Sequence, residues 1–94
     1  MSADPFIVVA GAGRWGSNHI RVLSELGALY GVAEPDAGRR ATVRDRYPDA
    51  RIEESLSPFL ENPDVRGIVV AAPAQMHHLL AAEILHHGKH VLVE

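Results

Sequence analysis

The feature that most constrains this chain is an apolar run, Phe6-Ile7-Val8-Val9-Ala10, that ends in glycines at the spacing Gly11-x-Gly13-x-x-Gly16. A helix-like pattern follows at once, so the glycines stand between a strand and a helix. In that setting each has its own task. Gly11 makes the tight turn out of the strand, Gly13 lets backbone approach a pyrophosphate, and Gly16 lets the helix pack closely on its strand. The free N–H groups of the helix start, Trp15's among them, and the positive end of its dipole suit such a turn to phosphate. A glycine turn that merely connects strand to helix is the alternative. The order strand, glycines, helix near the N-terminus favours a dinucleotide-binding βα unit over it.

The rest of the chain repeats the alternation. Met1 to Pro5 is a polar lead-in. The spacing predicts a first helix over Arg14–Leu26, with Gly16, Ile20, Leu23 and Gly27 on one stripe and Trp15, His19, Val22 and Leu26 flanking it. Gly27 suits a helix C-cap. Ala28–Ala33 reads as a second buried strand ending on Glu34, with Pro35-Asp36 as its turn. A weakly apolar helix follows over Ala37–Tyr47, with Ala37, Ala41, Val43 and Tyr47 as its candidate buried face, and Pro48 stops it. Arg51–Glu53 suits a short edge strand. Ser57 as N-cap and Pro58 at the first helical position begin a short helix that ends near Asn62-Pro63-Asp64. Gly67–Ala72 is a fourth strand closed by Pro73. A helix over Gln75–His87, with Met76, Leu80 and Ile84 on one face and Gly88 as C-cap, leads to a fifth strand, His90–Val93, and Glu94.

Strands alternating with helices require a parallel sheet with right-handed crossovers, a doubly wound α/β (Rossmann) fold with strand order 3-2-1-4-5. Ligands in such sheets bind beyond the carboxyl ends of the strands, at the switch point between the first and fourth. Gly11, Glu34, Pro73 and Glu94 all fall on that edge, which folding alone does not require. Glu34 follows the glycines at close to the spacing of about 20 residues expected of a ribose-binding carboxylate. It would repel a 2′-phosphate, so NAD is expected in preference to NADP. Arg39, Arg40, Arg44 and Arg46 argue the other way, since arginines just past this strand can pair with such a phosphate; a solvated, charge-rich helix face is the favoured account of them. His77, opening the last helix beside the proposed site, is a candidate for contact with cofactor or substrate. The pairs His77-His78 and His86-His87 point to different sides of a helix, and Gly88 separates His86 from His90, so no metal site is expected.

Composition narrows the partners. The chain has 94 residues, 47% hydrophobic and 22% charged, which suits a single domain over residues 1–94 with one modest core. A net charge of −3 argues against nucleic acid, and the absence of Cys removes disulfides, thiol nucleophiles and cysteine-ligated zinc. The longest apolar runs are too short to span a bilayer, and the N-terminus lacks a secretion signal, so a cytoplasmic setting is expected.

Four motifs in order resemble one family. Gly11-Ala12-Gly13-Arg14-Trp15-Gly16-Ser17-Asn18-His19 is similar to the opening of the glucose–fructose oxidoreductase/inositol dehydrogenase (Gfo/Idh/MocA) family. Val32-Ala33-Glu34-Pro35-Asp36 resembles its second strand end, with Glu34 where Asp is commoner. Ile68–His77 resembles its fourth-strand signature, with Ala72 in place of the usual Thr or Ser, and Gly88–Glu94 matches the run that normally continues into Glu-Lys-Pro. The resemblance implies an oxidoreductase that passes a hydride between a nicotinamide and an alcohol carbon of a sugar, nucleotide sugar or cyclitol. It places Gly11, Gly13, Arg14, Trp15, Gly16, Glu34, Pro73, His77 and Glu94 at cofactor-contacting positions. It puts the catalytic lysine directly after Glu94, and the other catalytic residues, the sugar-like substrate and any oligomer contacts in a second domain, so no catalytic residue is expected among these 94. The apolar last strand, with no helix after it to cover it, likewise leads to the expectation that the gene continues past Glu94, with Lys then Pro. The rival reading is a stand-alone module that senses a nucleotide and catalyses nothing.

Overall fold

Runs of β-branched residues with no polar interruption need cover on both faces, and the fold supplies it. The structure, a computed structural model, describes residues 4–94; Met1–Ala3 of the polar lead-in lie outside the described residues. Five strands, β1 (Ile7–Ala10), β2 (Leu29–Ala33), β3 (Arg51–Glu53), β4 (Gly67–Val70) and β5 (His90–Val93), form one sheet in the order β3-β2-β1-β4-β5. Every pairing is parallel. Four helices connect them: α1 (Arg14–Glu25), α2 (Ala37–Arg46), α3 (Ser57–Leu60) and α4 (His77–His86).

Side chains alternate across the sheet, so two cores form. On one face Val8, Ala10, Ile68 and Val70 pack with Phe59 and Leu60 of α3 and Ile84 of α4. On the other, Val9, Val32 and Val69 pack with Ile20 of α1 and Val43 of α2. Side chains such as Phe59 and Ile20, almost wholly buried, each contribute about 1.5–3 kcal/mol through lost contact with water. Lys89 is buried too. Its ammonium donates to the carbonyls of Asn62 (2.8 Å) and Val65 (2.6 Å) and so holds the loop that enters β4.

The expected elements form, with physical differences at their ends. β4 is a strand only as far as Val70; Ala71 still donates its N–H to the Ala10 carbonyl at 2.8 Å, and its backbone lies against the Gly11 turn. Ser57 is not an N-cap: Leu56 takes that position with helical backbone and no side-chain cap bond, because its buried side chain anchors the turn instead. The last helix does not begin at Gln75 as α-helix. Ala74–Met76 form a 3₁₀ turn, with Met76 N–H donating to the Pro73 carbonyl at 2.9 Å, and the α-helical part starts at His77. Ala37 and Ala41 are exposed, so Val43 alone of the expected α2 face is fully buried. The stripe flanking the core side of α1 is largely open, with Trp15 64%, Val22 42% and Leu26 73% exposed. β5 pairs with β4 alone, and its Leu92 and Val93 are exposed.

Candidate functional site

Parallel strands deliver all their carboxyl ends to one edge, and there the chain opens a cleft of about 660 Å³. Its floor is Ala10, Gly11 and Gly13, its walls are Glu34–Asp36 with Arg39 on one side and Ala71–Pro73 on the other, and Arg14 and Trp15 stand at its rim. A hollow of about 770 Å³ at the opposite edge is lined by Asp4, Tyr30, Arg51 and Arg66 and touches none of the glycine turn. Arg51 in that hollow is held above its ordinary pKa by its hydrogen bond to Glu53.

The glycine turn is tight because two of its residues cannot carry a side chain. Gly11 has φ +105°, and a Cβ there would stand 2.9 Å from the Ala71 backbone. A Cβ on Gly16 would collide with the Gly11 carbonyl. Gly16 is therefore buried beneath the turn, packing α1 against its strand rather than facing the cleft. Gly13 differs: its φ is −74°, and a Cβ there would meet nothing closer than the Arg39 guanidinium at 3.7 Å. Gly13 leaves room for a ligand, not for the fold. It is also the N-cap of α1, and no side chain caps the helix start. With no acidic residue in the first turn, the positive end of α1 opens into the cleft.

Glu34 is 3% exposed. Its carboxylate accepts the N–H of Ala12 at 2.7 Å with one oxygen and the N–H of Asp36 at 2.8 Å with the other. It thus pins the glycine turn to the end of β2 while lining the cleft, a structural task that spacing alone does not reveal. Arg39 approaches the same carboxylate at 3.9 Å. Pro73 lines the cleft.

His77 and Glu94 are not among the cleft-lining residues. His77 donates Nε2–H to the Ala72 carbonyl at 2.7 Å, fixing the turn that carries Pro73. Glu94 accepts from His19 Nε2 at 2.8 Å, tying the end of β5 to α1. Both lie on the correct edge and act at one remove from the cleft. Sequence reasoning missed Glu54, Ser55 and Leu56, which line the cleft just past β3. The strand-end rule that singled out the other four strands, applied to β3, finds them. It also missed Met76, half-exposed in the cleft rather than in the core with Ile84.

Among the described residues, no group of three or more metal-ligating side chains comes together, and no helix is long and apolar enough to cross a membrane.

Sheet order, glycine turn and open helix end define a Rossmann dinucleotide-binding domain. The family model of the Gfo/Idh/MocA oxidoreductases, described as an oxidoreductase family with an NAD-binding Rossmann fold, matches residues 6–94, and the chain belongs to that family. It is 34% identical over 94 residues to an inositol 2-dehydrogenase of Leifsonia xyli, covering 97% of this chain and 27% of the relative. It is 31% identical to a 4-carboxy-2-hydroxymuconate-6-semialdehyde dehydrogenase of Sphingobium, covering 94% of this chain and 29% of the relative. A crystal structure of GenD2 from gentamicin A biosynthesis, in complex with NAD, superposes with a TM-score of 0.87 at 30% identity, covering 99% of this chain and 27% of that one. The chain thus spans little more than a quarter of the length of these proteins.

Proposed function

We propose that this chain binds NAD(H), in preference to NADP(H), as the cofactor-holding part of an oxidoreductase acting on an alcohol carbon of a sugar, nucleotide sugar or cyclitol. The observation that carries the reading is the uncapped start of α1 over Gly13, where a side chain would enter open cleft rather than protein. A pyrophosphate fits that space: backbone N–H groups of Gly13, Arg14 and Trp15 would meet its oxygens, and the helix dipole favours its charge. Glu34 lines the ribose end of the cleft, and its buried negative charge disfavours a 2′-phosphate. Pro73, with Ala71 and Ala72, forms the facing wall, and His77 holds that wall in place through the Ala72 carbonyl. Glu94, held by His19, stands at the end of β5, where the family pattern places the nicotinamide.

When bound, the nicotinamide supplies the hydride exchange. This chain's residues bind and orient the cofactor. Inositol-type substrates are favoured by the relative in Leifsonia xyli, itself an inositol 2-dehydrogenase. Calorimetric titration of the chain with NADH tests the binding claim: saturable one-to-one binding is expected, and no heat of binding into the millimolar range would overturn it.

A further inference from the structure

One contact at the carboxyl edge joins residues 75 positions apart: Glu94, just past β5, accepts a hydrogen bond from His19 Nε2 at 2.8 Å. The sheet sets the backbone of Glu94, since its N–H donates to the Val70 carbonyl at 3.0 Å. Its side chain is a separate matter. It is 45% exposed, and a half-exposed glutamate with no partner wanders among many rotamers. His19 removes that freedom from a fixed place, the second turn of α1, where its own side chain is 24% exposed. The helix whose open start faces the cleft thus also holds a carboxylate on the β5 side of the same edge.

The sheet order decides which part of a ligand that carboxylate meets. A doubly wound sheet takes a dinucleotide across its switch point, one mononucleotide half on each side. With the pyrophosphate over Gly13 and the adenosine ribose toward Glu34 at the end of β2, the nicotinamide half lies toward the ends of β4 and β5. The cleft wall there is apolar, built of Ala71, Ala72, Pro73 and Met76. The two strand ends on that side bring one carboxylate between them, Glu94. A nicotinamide ring carries a positive charge when oxidised and none when reduced, so a carboxylate held at that end attracts one form and not the other. Loose in solvent, the same charge is screened and does little.

We infer that His19 is a positioning residue for the nicotinamide end of the site: by fixing the Glu94 carboxylate there, it raises affinity for the oxidised cofactor relative to the reduced one. The inference rests on the dinucleotide reading and adds to it. Glu94 supplies the charge, and His19, which does not itself line the cleft, decides where that charge stands.

The test measures dissociation constants for NAD⁺ and for NADH by calorimetry, on the native chain and on His19→Ala, His19→Gln and Glu94→Gln. Alanine and glutamine are both good helix formers, so α1 is expected to fold in each His19 variant, and a thermal melt by circular dichroism checks it. His19→Ala should weaken NAD⁺ about three- to fivefold while moving NADH less than about twofold, the scale set by a partly exposed charge. Glu94→Gln should do the same, and combining it with His19→Ala should add nothing further. His19→Gln puts a neutral N–H donor where Nε2 stands, so it should keep at least the native ratio of the two constants. Equal loss of both forms in His19→Ala, or a His19→Gln variant that behaves like His19→Ala, would make His19 a packing residue and overturn the inference. An unchanged ratio in Glu94→Gln would overturn it as well. If neither form binds the native chain, the dinucleotide reading fails and takes this inference with it.

Discussion

Two helices begin side by side on the carboxyl edge of this sheet, and they begin in opposite ways. α2 is closed by its own sequence: the Asp36 side chain accepts the Arg39 N–H at 2.9 Å and satisfies the helix start. α1 starts on Gly13, which has no side chain to offer, and its first N–H groups face the cleft. Neither has an acidic residue in its first turn, so the cap is the difference between them. Between the two stands Glu34, bonded to Ala12 on the α1 side and to Asp36 on the α2 side. Backbone donors left unpaired are costly unless something arrives to pair them. The helix end the chain leaves open is thus the one shaped for a ligand, and the one it caps is framework.

The contrast can be broken in stages. The largest effect belongs to the packing beneath the open end. Gly16→Val drives a side chain into the Gly11 carbonyl, and overpacking against backbone that cannot move is expected to cost about 3 kcal/mol or more. Urea unfolding should show a much lower midpoint or no cooperative transition, and native-like stability would refute the tight turn. Next comes the bridge. Glu34→Gln replaces one of two acceptor oxygens with a donor facing an N–H, at an expected cost of about 1–3 kcal/mol. Thermal melts at neutral pH check this, with loss of cofactor affinity expected alongside, because the bond to Ala12 holds the phosphate turn. The smallest effect should come from the closed end. Asp36→Ala removes the α2 cap for about 1 kcal/mol, a fall in Tm of about 4–8 °C for a domain of this size. Asp36 also borders the cleft, so NADH affinity should fall modestly, by less than about tenfold, because that cap faces no pyrophosphate; a loss as large as that of Gly13→Val would mean the two helix starts are not distinct in role.

The fold was legible because its signals are coarse: apolar β-branched runs, an alternation that demands a parallel sheet, and a glycine fingerprint after the first strand that points to the order 3-2-1-4-5 among the doubly wound sheets. The open turn was legible too, since Gly11 and Gly16 are where the backbone allows no other residue. What sequence could not give was who holds whom. The spacing of Glu34 points to ribose, but its bonds to Ala12 and Asp36 depend on two loops meeting in space. His77 and Glu94 sit on the right edge, yet the Ala72 carbonyl and His19 engage them, contacts that no local pattern encodes. Arg39 and Arg40 are neighbours with the same chemistry, and only the rotation of α2 turns one into the cleft and ties the other to carbonyls. Ser57 reads as a cap by residue type, but burial of Leu56 decides where that short helix starts.

The account turns on Gly13, the one glycine of the three that the fold itself does not demand. Its backbone is in an ordinary region and its neighbourhood has room for a side chain, so Gly13→Val should leave Tm within a few degrees of the native value. Because the new side chain would occupy the space proposed for the pyrophosphate, NADH affinity should fall by about 100-fold or more, the equivalent of losing two or so charge-assisted hydrogen bonds. Calorimetry on the folded variant decides the matter: lost NADH binding with stability intact is the predicted result, and native-like NADH affinity would contradict the claim that the open start of α1 holds the cofactor's phosphates.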